Sequence, residues 1–351
     1  MTAADTKRGP RSETKLLAIS KEGPFLRTRH LNFSALPTCL HAGDLLVVND
    51  AATLPASLSG VHLPTGDPIE MRLGGSRSEA VEDLSRWFAI FFGAGDWRTP
   101  TENRPLPPPL RRGDRLAFQC GLEAAVEGLL SPDGKLAEIN FLGPPSSLWR
   151  KVYAAGKPVQ YSHLREDLAL WDVQTIFSGA PVSLEAPSAA FPFNWERIFA
   201  LEKKGVRLAR LTHAAGLSST GDERLDRRLP FPERYSIPNS TAAAVRRARS
   251  EGRCVIAVGT TVTRALESAV QPDGTVRPGS EITSLKISPV YRRRIVSGIL
   301  SGFHESGASH LSLLGSFIEP ENLEAIYNDA EVRGYFAHEF GDVCLLLSEN
   351  F

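Results

Sequence analysis

Cys254-Val-Ile-Ala-Val-Gly-Thr-Thr-Val-Thr-Arg-Ala-Leu-Glu-Ser268 is the stretch whose reading decides the fold. Cys254 to Val258 is a short β-branched apolar run that stops at Gly259, and helical spacing follows, so the segment reads as strand, tight turn, helix. On a 3.6-residue period Val262, Ala265, Leu266 and Ala269 share one face, with Thr260, Arg264, Glu267 and Gln271 opposite. The turn then sits at the carboxyl end of a strand and at the head of a helix, where unpaired N–H groups carry partial positive charge. Gly259, Thr260 and Thr261 could therefore hold a carboxylate, phosphate or sugar hydroxyl, with Arg264 and Glu267 one turn deeper. The same spacing also fits a plain N-cap threonine followed by an exposed Arg264/Glu267 pair worth about 0.2–0.5 kcal/mol.

Outward from this unit, helix and strand signals alternate. Asn194 is placed to cap a helix over Trp195–Lys204 with Gly205 as its stop. Val206 to Leu211 reads as a strand ending at Thr212-His213, and Ser240 is placed to cap Thr241–Ser250. A strand near Ile295–Leu300, a helix near Ala308–Phe317, a helix opened by Pro320 and a final strand Val343–Leu347 complete the pattern. Upstream, Leu31 to His41 allows a short helix, and Gly43 to Asn49 is a buried-strand pattern ending in Asn49-Asp50. The fold class expected is α/β, a mostly parallel sheet covered by helices, with a ligand crevice at the carboxyl ends of its strands.

Between Ser57 and about Leu142 the texture changes to short apolar runs such as Trp87–Phe92, Arg115–Phe118 and Ala137–Phe141, split by Gly, Pro and Asp turns. This reads as an all-β module, with Pro105–Pro109 a rigid loop inside it. The organisation expected is a disordered stretch over 1–15, an α/β domain over 16–56 and 146–351, and a small antiparallel β-barrel over 57–145.

The 351 residues carry 40 basic and 40 acidic side chains, so no global field draws in DNA or a membrane surface, and any RNA contact must be local. Arginines cluster at Arg224/Arg227/Arg228, Arg246/Arg247/Arg249 and Arg292/Arg293/Arg294, a pattern that phosphate contacts and solvated surfaces share. Cys39, Cys120, Cys254 and Cys344 are scattered, with no zinc-ligand spacing, so neither a metal nor a disulfide framework is expected. With no apolar leader and no long apolar run, a soluble cytoplasmic protein is expected.

Val255-Ile-Ala-Val-Gly-Thr-Thr-x-x-Arg264-x-Leu-Glu-Ser268 resembles the signature of the S-adenosylmethionine:tRNA ribosyltransferase-isomerases of queuosine biosynthesis. Gly43-Asp-Leu-Leu-Val-Val-Asn49-Asp50-x-x-Thr-Leu-Pro-Ala56 is similar to a second family stretch, although Ala52 and Ser57 stand where the family has arginines. Glu185-Ala-Pro-Ser-Ala189, Leu211-Thr-His213-Ala-Ala-Gly216, Glu233 to Pro238, Phe303-His304 and Gly341-Asp342 resemble further motifs. Several are altered: Ala190 and Pro192 replace a Gly and a His, Gly302 replaces an Asn, and Glu305-Ser306 replaces Leu-Pro.

The resemblance implies the barrel inserted in an α/β domain, S-adenosylmethionine as co-substrate without a metal, and tRNA as partner. It implies transfer and isomerisation of the ribosyl group onto a 7-aminomethyl-7-deazaguanine, releasing adenine and methionine. Because the altered motifs change ligand contacts more than the fold, a small-molecule acceptor or a non-catalytic nucleoside- or RNA-binding relative are the other readings. In the main reading His213 and His304 exchange protons. Gly259, Thr260, Thr261 and Arg264 hold the methionyl carboxylate or ribose, Asp50 and Glu267 accept from hydroxyls or an amine, and Asn49, Glu233 and Asp342 complete the binding set.

Overall fold

A computed structural model describes residues 1–7, 14–22, 25–77, 85–304 and 309–347. Strand Val255–Val258 is buried at every position and is followed by helix Thr260–Ser268, as its β-branched run and helical spacing require. It pairs in parallel with Leu45–Asn49 on one side and Gly298–Gly302 on the other. Leu45–Asn49 pairs in parallel with Arg207–His213. The result is a four-stranded parallel centre whose strands all end on one edge.

Antiparallel strands flank that centre. Glu233–Ile237 and Gly279–Thr283 extend one side, while Val343–Leu347, Lys15–Glu22 and Phe25–Asn32 extend the other, making nine strands among the described residues. Val343–Leu347 runs antiparallel to Gly298–Gly302 yet parallel to Lys15–Glu22. The sheet is therefore mixed, with the parallel pairings concentrated where the crevice was expected.

Helices cover both faces. Trp195–Lys204 packs on one through Ile198 and Leu201, capped by Asn194, whose side chain accepts from Arg197 N at 2.9 Å, and closed by left-handed Gly205 at φ 86°. Helices Asn239–Ser250 and Thr260–Ser268 pack on the other through Val245, Ala248, Val262 and Leu266. Ser240 is not the cap of the former, which begins one residue earlier after Pro238. The short helix expected over Leu31–His41 is a 3-10 turn over Phe33–Cys39, where Pro37 has no N–H for an α-helical ladder.

The Ser57–Leu142 module is a closed antiparallel barrel. Its strands run Ser57–His62, Asp67–Ser76, Arg86–Phe92, Leu136–Leu142, Glu123–Leu129 and Arg115–Phe118, and the last pairs back onto the first. Alternation in strand sequence puts Leu58, Met71, Phe91, Leu116, Val126 and Ile139 inside. After helix Pro145–Ala155, Gly156–Lys157 adds to the barrel's first strand, so barrel pairing continues past residue 145.

Residues 1–7 depart from the disorder expected over 1–15. Ala3 bridges Ala337, Ala4 is buried, and the Met1 amine pairs with Glu331 at 3.1 Å. Lys15 already opens a sheet strand. Backbone pairing to the Ala337 loop and the burial of Ala4 hold this segment, contacts that composition cannot register.

Closure of the barrel requires close approach at Gly60, where an added Cβ would meet the Ala117 carbonyl oxygen and the Phe118 ring. Gly60→Val is expected to cost about 1–3 kcal/mol by overpacking. Thermal unfolding followed by circular dichroism checks this, and an unshifted midpoint would contradict it.

Candidate active site at the carboxyl ends of the sheet

Gly259 adopts φ 95° and ψ 161°. Only glycine enters that region freely, and since an added Cβ would sit 3.6 Å from its nearest neighbour, conformation rather than space demands the glycine. Having no side chain, Gly259 gives the helix no capping oxygen. The first-turn N–H groups of Thr260 and Thr261 are thus left for a ligand or solvent. Both threonines, Gly259 and Arg264 line a cavity of about 370 Å³.

Arg264 is 6% exposed and is held from two sides. Its Nε donates to Leu285 O at 2.9 Å and its Nη1 donates to Glu233 Oε2, while its buried Nη2 has no hydrogen-bond partner. Glu233 also accepts from His213 Nε2 at 2.8 Å and from Gly216 N at 2.6 Å. Burial alone would raise the Glu233 carboxyl, but the bond and charge of His213, the Arg264 charge and the Gly216 N–H together hold it down at about 2. An ionised Glu233 only accepts, so His213 carries a proton on Nε2.

His304 lines the same cavity, with Nε2 3.1 Å from Ser301 Oγ and its ring 4.6 Å from that of His310. Burial, reinforced by the neighbouring His310 and His338, pushes the His304 pKa well below the usual imidazole value, so it is neutral at pH 7. His310, from helix Ser309–Leu314, is lowered by burial as well.

A second cavity of about 430 Å³ shares the Glu185, Ser218, His304 and His310 walls and reaches Thr101 on the barrel side. Glu185 accepts from Ser218 N at 2.8 Å, from Ser218 Oγ at 3.0 Å and from the Tyr161 hydroxyl, all on Oε1. Burial raises its carboxyl to about 7, more than these bonds lower it.

The expected site residues thus divide. Gly259, Thr260, Thr261, Arg264, Glu233 and His304 converge on one cavity. His213 does not line it: the ring is fully buried behind Glu233, and it acts on the site only through that carboxylate. Asn49 is also fully buried, clamping the His213 backbone by donating to its O and accepting from its N, both at 2.9 Å, with Thr261 Oγ1 at 3.4 Å. Asp50 accepts from Thr212 Oγ1 at 2.6 Å.

Glu267 is a correction. Its carboxylate accepts from the backbone N–H of Arg294, Ile295 and Val296, each at 2.9 Å, and fastens the segment leading into strand Gly298–Gly302. It neither pairs with Arg264 nor lines the cavity, because both of its oxygens are engaged by these backbone N–H groups. Asp342 is another: it accepts from Lys15 N at 2.7 Å and Phe336 N at 2.9 Å, fully buried away from the cavity. Glu305-Ser306 and Ala308 lie outside the described residues.

Glu185 and His310 went unnamed among the sequence candidates. Glu185 lies in the family-like stretch Glu185–Ala189, where its acidic side chain is the available signal; His310 has none. The arginine clusters are largely engaged within the protein. Arg227 pairs with Glu223 at 2.6 Å, Arg247 with Glu251 at 2.8 Å, Arg293 donates to Ser316 O at 3.0 Å, and Arg294 donates to Gln271 O at 2.8 Å. No helix among the described residues is long and apolar enough to cross a membrane.

An α/β sheet with a barrel insert, its strands ending under an uncapped helix N-terminus beside a buried carboxylate–guanidinium pair, defines a small-molecule-binding protein with an enzyme-like cleft. Residues 2–346 match the family model described as queuosine biosynthesis protein, and the chain belongs to that family. It is 31% identical over 347 residues to the S-adenosylmethionine:tRNA ribosyltransferase-isomerase of Moorella thermoacetica, covering 96% of this chain and 94% of that one. The enzyme of the same name from Gloeobacter violaceus is 33% identical over 352 residues, covering 96% and 90%. The crystal structure of an S-adenosylmethionine tRNA ribosyltransferase from Thermotoga maritima superposes with TM-score 0.52 at 23% identity, covering 98% of this chain and 96% of that one, and shares the fold.

The Glu233 carboxyl, held down at about 2, contributes on the order of 3 kcal/mol of stability at neutral pH. Since the folded value is depressed, that contribution is present above the unfolded value near 4.5 and is lost as pH falls toward 2. Glu233→Gln should therefore lower stability by about 3 kcal/mol at pH 7, with the gap to wild type narrowing over that acid window. Urea unfolding at stepped pH measures this, and a pH-independent gap would refute it.

Proposed function

We propose that this chain moves and isomerises the ribosyl portion of S-adenosylmethionine onto the aminomethyl group of a 7-deazaguanine in tRNA. The reaction forms epoxyqueuosine and releases adenine and methionine. The single observation that carries this reading is the buried Arg264 Nη2, a cationic donor without a hydrogen-bond partner on a cavity-lining side chain. It stands one turn below the open N–H groups of Thr260 and Thr261, so a carboxylate-bearing substrate supplies what both lack. The family membership supports the reaction itself.

In this reading Gly259, Thr260, Thr261 and Arg264 hold the methionyl carboxylate or ribose. Glu233, fixed by His213, keeps the guanidinium oriented. The sulfonium centre acidifies the adjacent C5′ protons, and His304, already neutral, accepts one without first having to deprotonate. Glu185 protonates the departing adenine. The hydrogen bonds from Tyr161 and Ser218 all fall on Oε1, which leaves Oε2 to carry the proton, and a value of about 7 keeps much of it protonated at neutral pH. A cytoplasmic tRNA substrate is part of the same reading.

Incubation with S-adenosylmethionine should yield adenine and methionine together when tRNA carrying the deazaguanine is present. Release without it would sink the acceptor assignment, and no release under either condition would sink the reaction. His304→Ala should lower kcat by about 10²-fold or more. For Glu185 the acid form is the active one, so wild-type kcat should fall as pH rises through about 7. Glu185→Gln should lower kcat by about 10²-fold and abolish that alkaline limb; an unchanged pH profile would remove Glu185 from proton transfer.

A further inference from the structure

We infer that His163, His338 and Glu339 form a binding site for a divalent transition-metal cation of zinc's size, on the wall of the second cavity. One ring nitrogen of each histidine and a carboxylate oxygen of Glu339 lie within 4.8 Å of one another. The sequence hides the set, since His163 is 175 positions from His338 and no short metal-ligand spacing links them.

Two observations point to a cation rather than to a plain polar cluster. His163 Nε2 is buried without a hydrogen-bond partner, although Glu339 Oε2 is only 3.2 Å away. The approach has the distance of a hydrogen bond and not its alignment. Two ligands bonded to tetrahedral zinc at about 2.0–2.1 Å stand about 3.3 Å apart, so this pair already has metal-ligand spacing. The His163 and His338 rings stack with centroids 4.2 Å apart, so one imidazole must turn about its side-chain torsions to bring its nitrogen onto the same ion. Secondly, the set is two imidazoles and one carboxylate, the ligand chemistry that selects Zn²⁺ and similar transition ions over Mg²⁺.

The backbone carrying these ligands is held in place. His338 N donates to Phe303 O at 3.1 Å, Gly341 N donates to His338 O at 2.9 Å, and Ala337 N donates to Thr2 O at 2.9 Å. On the other side Gln160 Oε1 accepts from Leu168 N at 3.0 Å, Leu164 N donates to Tyr161 O at 3.2 Å, and Arg165 N donates to Asp5 O at 2.8 Å, fixing the turn that bears His163. With the backbone restrained, the reorganisation that a metal asks for is confined to the side-chain torsions. All three residues line the cavity that also holds Glu185 and His304, so the position left by three protein ligands opens to that space and takes water or a ligand atom.

This inference goes beyond the proposed reaction and does not depend on it. The test uses the full chain stripped with a chelator and then titrated with Co²⁺. One equivalent should give visible d–d absorption, and Zn²⁺ should displace it while Mg²⁺ at the same concentration does not. His163→Ala, His338→Ala and the near-isosteric Glu339→Gln should each weaken Zn²⁺ binding by about tenfold or more, while His41→Ala, on an exposed side chain, should not. Zn²⁺ should also raise the melting temperature of wild type and not of Glu339→Gln. Absence of the cobalt spectrum in wild type, equal competition by Mg²⁺, or unchanged Zn²⁺ affinity in all three ligand variants would overturn the site.

Discussion

A buried carboxylate must be paired, and Glu233 meets that requirement by drawing three separate segments to one point. His213 comes from the end of a central strand, Gly216 from the loop beyond it, and Arg264 from the helix following the next-but-one strand. None of these can move without leaving charge unpaired in a dry interior. The geometry of the cavity floor follows from this one constraint, including the place of the guanidinium whose remaining nitrogen has no hydrogen-bond partner in the protein.

Around that point the polar residues work at two depths. Asn49 holds the His213 backbone in both directions, and Glu267 anchors three successive N–H groups of the segment that becomes strand Gly298–Gly302 and ends at His304. These residues never reach the cavity, yet they decide where His304, Thr261 and Arg264 stand. Cavity-lining Arg264 and Glu267, which anchors the neighbouring segment, therefore share one helix, three residues apart.

Most of the elements were legible from local pattern. Asn194 and Gly205 bracket a helix because a side-chain acceptor and a left-handed glycine satisfy its two ends, and both signals are local. Strand Val343–Leu347 and the barrel strands Arg86–Phe92, Arg115–Phe118 and Leu136–Leu142 were legible for the same reason. Lys15–Glu22 and Phe25–Asn32 were not, since their alternation is irregular and their pairing partner for the former lies at the far end of the chain. Around the cavity, the strand–turn–helix reading of Val255 to Ser268 matches the fold because a strand end, a glycine and a helix start form one continuous segment. Glu267 and Asp342 read as ligand contacts, and His213 as a proton-transfer residue, because an acid or imidazole at a strand or helix end has the same appearance whether it meets a substrate or a neighbouring group of the protein.

What the sequence determined by itself was the periodicity: which runs are strands, which are helices, where the barrel interrupts, and which turn opens the key helix. Tertiary structure alone decided partnership. It turned His213 away from the cavity, brought Glu185 and His310 to its wall, and set His163 beside His338 and Glu339. The physical reason is range. Propensity and amphipathic spacing act over a few residues, whereas the burial and pairing that set a side chain's charge and its neighbour depend on contacts between positions hundreds of residues apart.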